Sequence, residues 1–366
     1  MKRKMIVVLL TIAYLVLLIF LFKGIKWAEA RIRGAWYSSV TKLMTAKTSH
    51  VPIDKCILGI YKPELPYSFD GKKDLEDSLD TRFNLISFYQ AWGDGPEQAF
   101  PASLMDAIAG KGCVPVLTWE PWVTEFDHPG LKSLGKREYR YLKDIAEGVY
   151  DFHIVPWAKG AVTWGKPFFL RFAHEMSNAQ YPWSPVNDNR PEDYIRAWWH
   201  VHGILDSLGA ANVIWVWCPY KPEDLVYYPG DTCVDWTAMD IFNYGDLLSE
   251  DYGPRWHSFD QLASPMYRSL EPLRKPIMVA EVASSDMGGS RDTWYREMYG
   301  KIPAKFPGIK AVVLFENPAD RTSGRWTIDW SILNDREAMI ETRRMLSQGY
   351  FSYQENYAHL LSTKTR

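Results

Sequence analysis

The chain has 366 residues, 47% of them hydrophobic and 23% charged, with 15% aromatic residues that include 17 tryptophans. These proportions fit a folded globular chain and exclude a disordered, collagen-like or polytopic membrane protein. The net charge of −2 hides an asymmetry: residues 1–33 carry seven Lys/Arg and one Glu, which leaves residues 34–366 at −8. So acidic a body lacks the basic surface that phosphate backbones require, and nucleic-acid binding is set aside.

Lys2, Arg3 and Lys4 precede an apolar run from Met5 to Phe22, followed by Lys23 and Lys26. At about 1.5 Å per residue the run reaches roughly 27 Å, enough to cross a hydrocarbon core. Its positive flank predicts a cytoplasmic N-terminus and a body outside the cell membrane. Two readings are open for residues 1–30: an uncleaved signal-anchor, or a signal peptide cut near Ala28-Glu29-Ala30 with the body secreted. The length of the run, and the lysines between it and that site, favour the anchor. Residues 31–55 read as a polar, partly helical stalk.

From residue 56 onward, short apolar, β-branched and aromatic runs recur: 56–61, 85–91, 114–119, 168–172, 213–217, 236–242, 277–280 and 311–315. Helical patterns lie between most of them. Pro191 suits a first helical position in a helix carrying on to Gly209, Ser258 and Gln261 form a capping-box pair, and Gly349 ends a helix begun near Asn334. Strands apolar on both faces that alternate with helices call for a parallel sheet covered by helices. Eight such units predict an α/β protein, a (β/α)8 TIM barrel over residues 56–350, with 351–366 as a C-terminal tail. No G-x-G-x-x-G or G-x-x-x-x-G-K-[ST] follows a strand, which removes support for nucleotide-binding α/β folds.

Four cysteines in a body this large make no disulfide framework. Cys56 and Cys113 read as strand-end packing residues. Cys218 and Cys233 flank one loop and are either a pair or buried free thiols. No Cys/His spacing suggests zinc.

Polar residues cluster just after the strands: Lys62, Glu120, Glu175, Asn243, Glu281 and Glu316. In such a barrel the active site lies at the C-terminal strand ends, so these predict a groove lined with carboxylates and aromatics. Glu175 ends the fourth strand and Glu281 the seventh, where they can face each other across the mouth. Retaining glycoside hydrolysis needs two carboxyl groups about 5–5.5 Å apart, one donating a proton and one attacking the anomeric carbon. The ordinary alternative for a single strand-end Glu is a salt bridge. His174-Glu175-Met176 is not H-E-x-x-H, so a metalloprotease reading fails.

The stretch RFAHEMSNAQYPWS, residues 171–184, resembles the acid/base signature of glycoside hydrolase family 26. The likeness extends to Thr118-Trp119-Glu120-Pro121-Trp122, to Tyr227-Tyr228-Pro229-Gly230-Asp231 with Val234-Asp235-Trp236, and to Ala280-Glu281. The resemblance implies a (β/α)8 barrel of retaining endo-β-glycanases, a family that includes β-1,4-mannanases and mixed-linkage β-glucanases. It implies Glu175 as acid/base, Glu281 as nucleophile and His174 as the histidine that helps position the sugar. It also implies Tyr244 as hydroxyl donor to the nucleophile, with Asn243 as the substitute, since Ile241-Phe242-Asn243-Tyr244 departs from the usual Gly-Tyr-Asn. Arg171 is expected to orient Glu175 from the barrel interior.

Trp119, Trp122, Trp183 and Trp217 are candidate sugar platforms, because flat apolar rings pack on the C–H faces of pyranoses; core packing is the alternative for each. Glu120 is a candidate partner for sugar hydroxyls or for a loop salt bridge. His200 and His202 lie in a helix as packing or surface residues. Ser177-Asn178 replaces the family's Asn-Gly, Gln180 replaces a Trp, and Cys218-Pro219-Tyr220 replaces a Ser-Pro-Asn-like turn.

The sequence thus predicts a membrane-anchored retaining endo-β-glycanase acting on a β-1,4-linked or mixed-linkage glucan or a β-mannan. No metal or organic cofactor is expected. The expected partners are a polysaccharide substrate, the membrane through the N-terminal helix, and a polysaccharide synthase or export machinery. The rival reading is a non-catalytic glycan-binding or scaffold barrel of an export complex.

Overall fold

The structure is a computed structural model that describes residues 55–248, 256–322, 326–355 and 357. Eight parallel strands close into a barrel in chain order: β1 (Ile57–Tyr61), β2 (Leu85–Ala91), β3 (Val114–Glu120), β4 (Phe168–Phe172), β5 (Val213–Trp217), β6 (Trp236–Asn243), β7 (Ile277–Ser284) and β8 (Ile309–Phe315). β1 pairs with both β2 and β8, which completes the ring. This is the expected (β/α)8 fold, with strand positions within a few residues of the apolar runs.

Alternate residues of each strand fill the interior. Ile57, Leu85, Val116, Phe169, Val216, Trp236, Met278 and Val313 are buried there in one cluster. A side chain on Gly59 would bring its Cβ to 2.8 Å from both Leu85 Cβ and Val313 Cγ2, so only glycine fits between these strands. The residues on the outer faces pack against the helices in a larger shell rich in Trp and Tyr.

Helices cover the barrel in the expected alternation: α1 (Asp70–Leu79) after β1, α2 (Ala102–Ala109) after β2, then α3 (Leu134–Glu138), α4 (Tyr141–Ala146) and α5 (Asp151–Trp164) after β3. α6 (Pro191–Ser207) follows β4, α7 (Phe259–Leu270) follows β6, α8 (Arg291–Lys305) follows β7 and α9 (Arg336–Leu346) follows β8. Ser258 caps α7 by accepting from Gln261 N–H, with the reciprocal Gln261 contact present. The last helix begins two residues later than its pattern suggests, because the Asp335 carboxylate accepts from Ala338 N–H at 3.0 Å and sets the cap. The β5–β6 crossover carries a 3-10 turn, Pro222–Tyr227, in place of an α-helix.

Two local features position the site. Asp240 on β6 lies beside Glu281 on β7, whereas Met239 lies beside Val279, so β7 carries one extra residue at Ala280. Strict alternation from Met278 and Ala280 would aim Glu281 outward; the bulge brings it to the inner face. On β4 the chain leaves the strand through Ala173 (φ 43°) and Glu175 (φ 48°), both left-handed and costly for residues with a Cβ. The Glu175 N–H donates to the Cys218 carbonyl at 2.8 Å and holds that turn against the end of β5.

Two expectations change, and a third falls outside the described residues. Cys218 and Cys233 are buried free thiols, so the pairing option fails; Cys218 Sγ points at Asp240 Oδ2 (3.3 Å) and Cys233 Sγ at the Pro229 carbonyl (3.4 Å). Phe351 and Tyr357, within the stretch read as a tail, contribute to the barrel: Phe351 bridges to Cys56, and Tyr357 is buried with the interior cluster. Among the described residues no helix is long and apolar enough to cross a membrane, and the expected anchor and nearly all of the stalk lie outside them.

Candidate active site

At the C-terminal mouth a fully buried Arg171, on β4, connects two carboxylates. Its Nη1 donates to Asp240 Oδ1 at 3.0 Å and Oδ2 at 2.9 Å, its Nη2 to Glu281 Oε1, and its Nε to Thr118 Oγ1 at 2.9 Å. Glu281 Oε1 also accepts from the Tyr89 hydroxyl at 2.5 Å. A cation and a phenol thus converge on one oxygen of Glu281.

Glu175 sits in the opposite setting. Burial, and then the negative charge of Glu281, push its pKa up to about 7. The Asn178 amide donates to Glu175 Oε2 at 2.7 Å. Burial raises Asp240 well above the usual carboxylate range although the Arg171 charge opposes it. His174, buried beside Glu175, is held well below the ordinary imidazole range, by burial first and the Arg171 charge second, so it is neutral. Its Nε2 meets the Tyr181 hydroxyl at 2.9 Å.

The sequence model of glycosyl hydrolase family 26 matches residues 123–322, more than half of the chain and most of the barrel. The chain belongs to glycosyl hydrolase family 26. Among curated proteins it is similar to Endoglucanase H of Acetivibrio thermocellus, 33% identical over 255 residues, which are 67% of this chain and 25% of that one. It is also similar to β-1,3-xylanase TXYA of a Vibrio species, 31% identical over 108 residues, 28% of this chain and 22% of that one. The chain thus spans about a quarter of the length of these relatives. Among solved structures, GH26C from a Muricauda species superposes with a TM-score of 0.62 at 15% identity, covering 85% of this chain and 95% of that one. A GH26 β-mannanase from Bacteroides ovatus gives 0.60 at 14%, covering 86% and 94%. At these identities the structural likeness shows the fold.

Within this family 26 barrel Glu175, Glu281, His174, Arg171 and Glu120 gather at the mouth, with departures in detail. Arg171 binds Glu281 and Asp240 directly and makes no direct hydrogen bond to Glu175, because it projects inward toward β6 and β7. The phenol on Glu281 comes from Tyr89 at the end of β2. Tyr244 instead packs edge-on against Trp330, ring centres 5.2 Å apart. Asn243 is a scaffold residue: its amide donates to Ser284 Oγ (2.9 Å), and its oxygen accepts from Gly245 N–H and His257 N–H (both 3.3 Å).

Three of the four tryptophans are buried in the shell around the barrel. Trp119, fully buried, stacks on Trp157 with centres 4.1 Å apart, and Trp217 is buried against Tyr228. Trp183 is also buried; it stacks on Tyr181 at 4.5 Å and donates Nε1–H to the His174 carbonyl at 2.8 Å, bracing that histidine. Trp122 remains partly exposed, edge-on to Trp183, and its Nε1–H donates to Glu120 Oε2 at 3.1 Å. Glu316, also at a strand end, caps residues 332–334 by accepting from Ser331 Oγ and Ile332 N–H (2.8 and 3.1 Å).

Tyr89 and Asp240 are the site residues that the sequence reading missed. Asp240 did leave a signal, as a carboxylate inside the apolar run of β6 on the face of Trp236 and Ala238. Tyr89 shares the face of Leu85 on β2, but its role depends on where β7 bulges.

Proposed function

We propose that the chain is a retaining endo-β-glycanase that cuts a β-1,4-linked or mixed-linkage β-1,3-1,4-glucan or a β-mannan by double displacement. The observation that carries it is the division of labour between two strand-end carboxyls: Glu281 compensated by Arg171 and Tyr89, Glu175 kept protonated by burial. The Glu281 carboxylate attacks the anomeric carbon while Glu175 gives its proton to the departing glycosidic oxygen, leaving a glycosyl ester on Glu281. Glu175, now ionised, takes a proton from water; the water oxygen displaces Glu281 from the sugar, and both groups return to their first state. Membership of family 26 and likeness to an endoglucanase support this reading. A non-catalytic binding barrel has no use for one carboxyl paired with a cation and a phenol beside another held protonated.

Hydrolysis of lichenan, mannan and cellulose by the full chain, followed as reducing ends, tests it. Glu175→Gln and Glu281→Gln each abolish hydrolysis of whichever polymer is cut, and the wild-type rate falls as pH rises through about 7, where Glu175 loses its proton. Full activity in either variant overturns the assignment. The apolar run 5–22 supports a further part of the proposal: the chain is tethered with its barrel outside, where it trims a polymer as it leaves a synthase. Retention in membranes through an alkaline carbonate wash is expected; complete release overturns the tether.

A further inference from the structure

The reaction proposed above requires a place for the sugar that leaves, and the inference here rests on that reading. Glu175 protonates the oxygen bonded to that sugar, so the departing ring must lie against the Glu175 turn. The chain after β5 occupies this position, because the Cys218 carbonyl holds the Glu175 N–H.

Two residues further on, Tyr220 keeps half of its surface exposed (50%). Burial of the rest raises its hydroxyl pKa, and the negative charges of Glu175 and then Asp224 add to the rise. The loop is fixed in place. Asp224, almost wholly buried, accepts at Oδ2 from Tyr220 N–H (3.0 Å), Lys221 N–H (3.1 Å) and the Ser177 hydroxyl (2.7 Å). One carboxylate oxygen thereby ties the β5 loop to the segment after Glu175. Beside this latch lies a cavity of about 410 Å³ bordered by Ser177, Pro185, Val186, Lys221 and Val226. The segment after Glu175 offers little ring surface of its own: Gln180 is exposed, Trp183 is buried, and Tyr181 is stacked on Trp183.

We propose that Tyr220 is the platform for the leaving-group sugar of the β-glycan, and that the adjoining cavity takes the next unit of the polymer. The exposed ring offers an apolar face to the pyranose C–H bonds, on a loop whose backbone is ordered before substrate arrives.

The test pairs two substrates with one glycon: a gluco- or manno-tetrasaccharide of the polymer cut, and the 2,4-dinitrophenyl glycoside that leaves no sugar behind. In Tyr220→Ala, kcat/KM on the tetrasaccharide falls about tenfold, several times more than on the aryl glycoside, and transfer to an added disaccharide acceptor falls with it. Tyr220→Phe and Tyr220→Trp restore the tetrasaccharide rate to within about twofold of wild type. Equal losses on both substrates, or none on either, overturn the platform while leaving the catalytic reading intact. A wild-type chain that cleaves neither substrate overturns the catalytic reading and the platform with it.

Discussion

A carboxylate remains ionised in a buried site only where a cation and donors replace its lost hydration. Arg171 supplies the cation for Glu281 and for Asp240, although burial still outweighs its charge at Asp240, and Tyr89 adds a short hydrogen bond to Glu281. As charge leaves Glu281 during attack on the sugar, these two groups set how much nucleophilicity it retains and how it is aimed. Tyr89→Phe removes one donor and leaves the ring that packs edge-on against Tyr61, 5.2 Å between centres. Hydrogen bonds to charged groups are worth about 1.5–3 kcal/mol, so kcat/KM is expected to fall about tenfold to a hundredfold with the urea midpoint nearly unchanged. Tyr244→Phe, by contrast, leaves kcat/KM within about twofold, because that ring packs on Trp330. Steady-state kinetics on the polymer that the wild type cuts checks both, and the reverse ranking would return the donor role to Tyr244.

At the level of elements, the sequence was most informative where one rule governs both local pattern and tertiary contact. Parallel barrel strands are buried on both faces, so their apolar runs stand out against the polar connections, and all eight are legible. Capping is similarly local, as Ser258 with Gln261 shows. The β7 bulge is different in kind: nothing within Ile277–Ser284 distinguishes a register in which Glu281 faces in from one in which it faces out, since the shift is defined by pairing with β6. The donor to Glu281 was misread for the same reason, because a phenol from β2 reaches it only across the closed barrel. Tryptophans fail for another reason. An indole has the same composition signature whether its face meets a sugar or, as in Trp119, another indole. Arg171 was legible as a barrel-interior charge and illegible in its partners, which lie on β6 and β7.

Across the whole molecule, closing the ring gathers several strand-end carboxyls at one end of a low-dielectric barrel, and not all of them serve one site. Glu316 on the β8 side is fully buried and pushed up to about 7 by burial, with the hydrogen bonds from Ser331 and Ile332, then the charges of Lys62 and Arg291, only partly offsetting the cost. A folded-state pKa above the unfolded value means that the native state binds protons more tightly. The stability linked to this group is therefore fully present below about 4.5 and is lost as pH rises through about 7. Glu175 adds to the same slope. Glu316→Gln cannot ionise, yet its amide oxygen can still accept from Ile332 N–H, so the cap at residues 332–334 survives. The variant is expected to lose less stability than the wild type between pH 4.5 and 8, by on the order of 2 kcal/mol, and to be the more stable chain at pH 8. Urea unfolding across that range measures the difference. Parallel pH curves for the two proteins would show that its donors hold Glu316 as easily ionised in the fold as in the unfolded chain, and that the slope belongs to the carboxyls around Arg171.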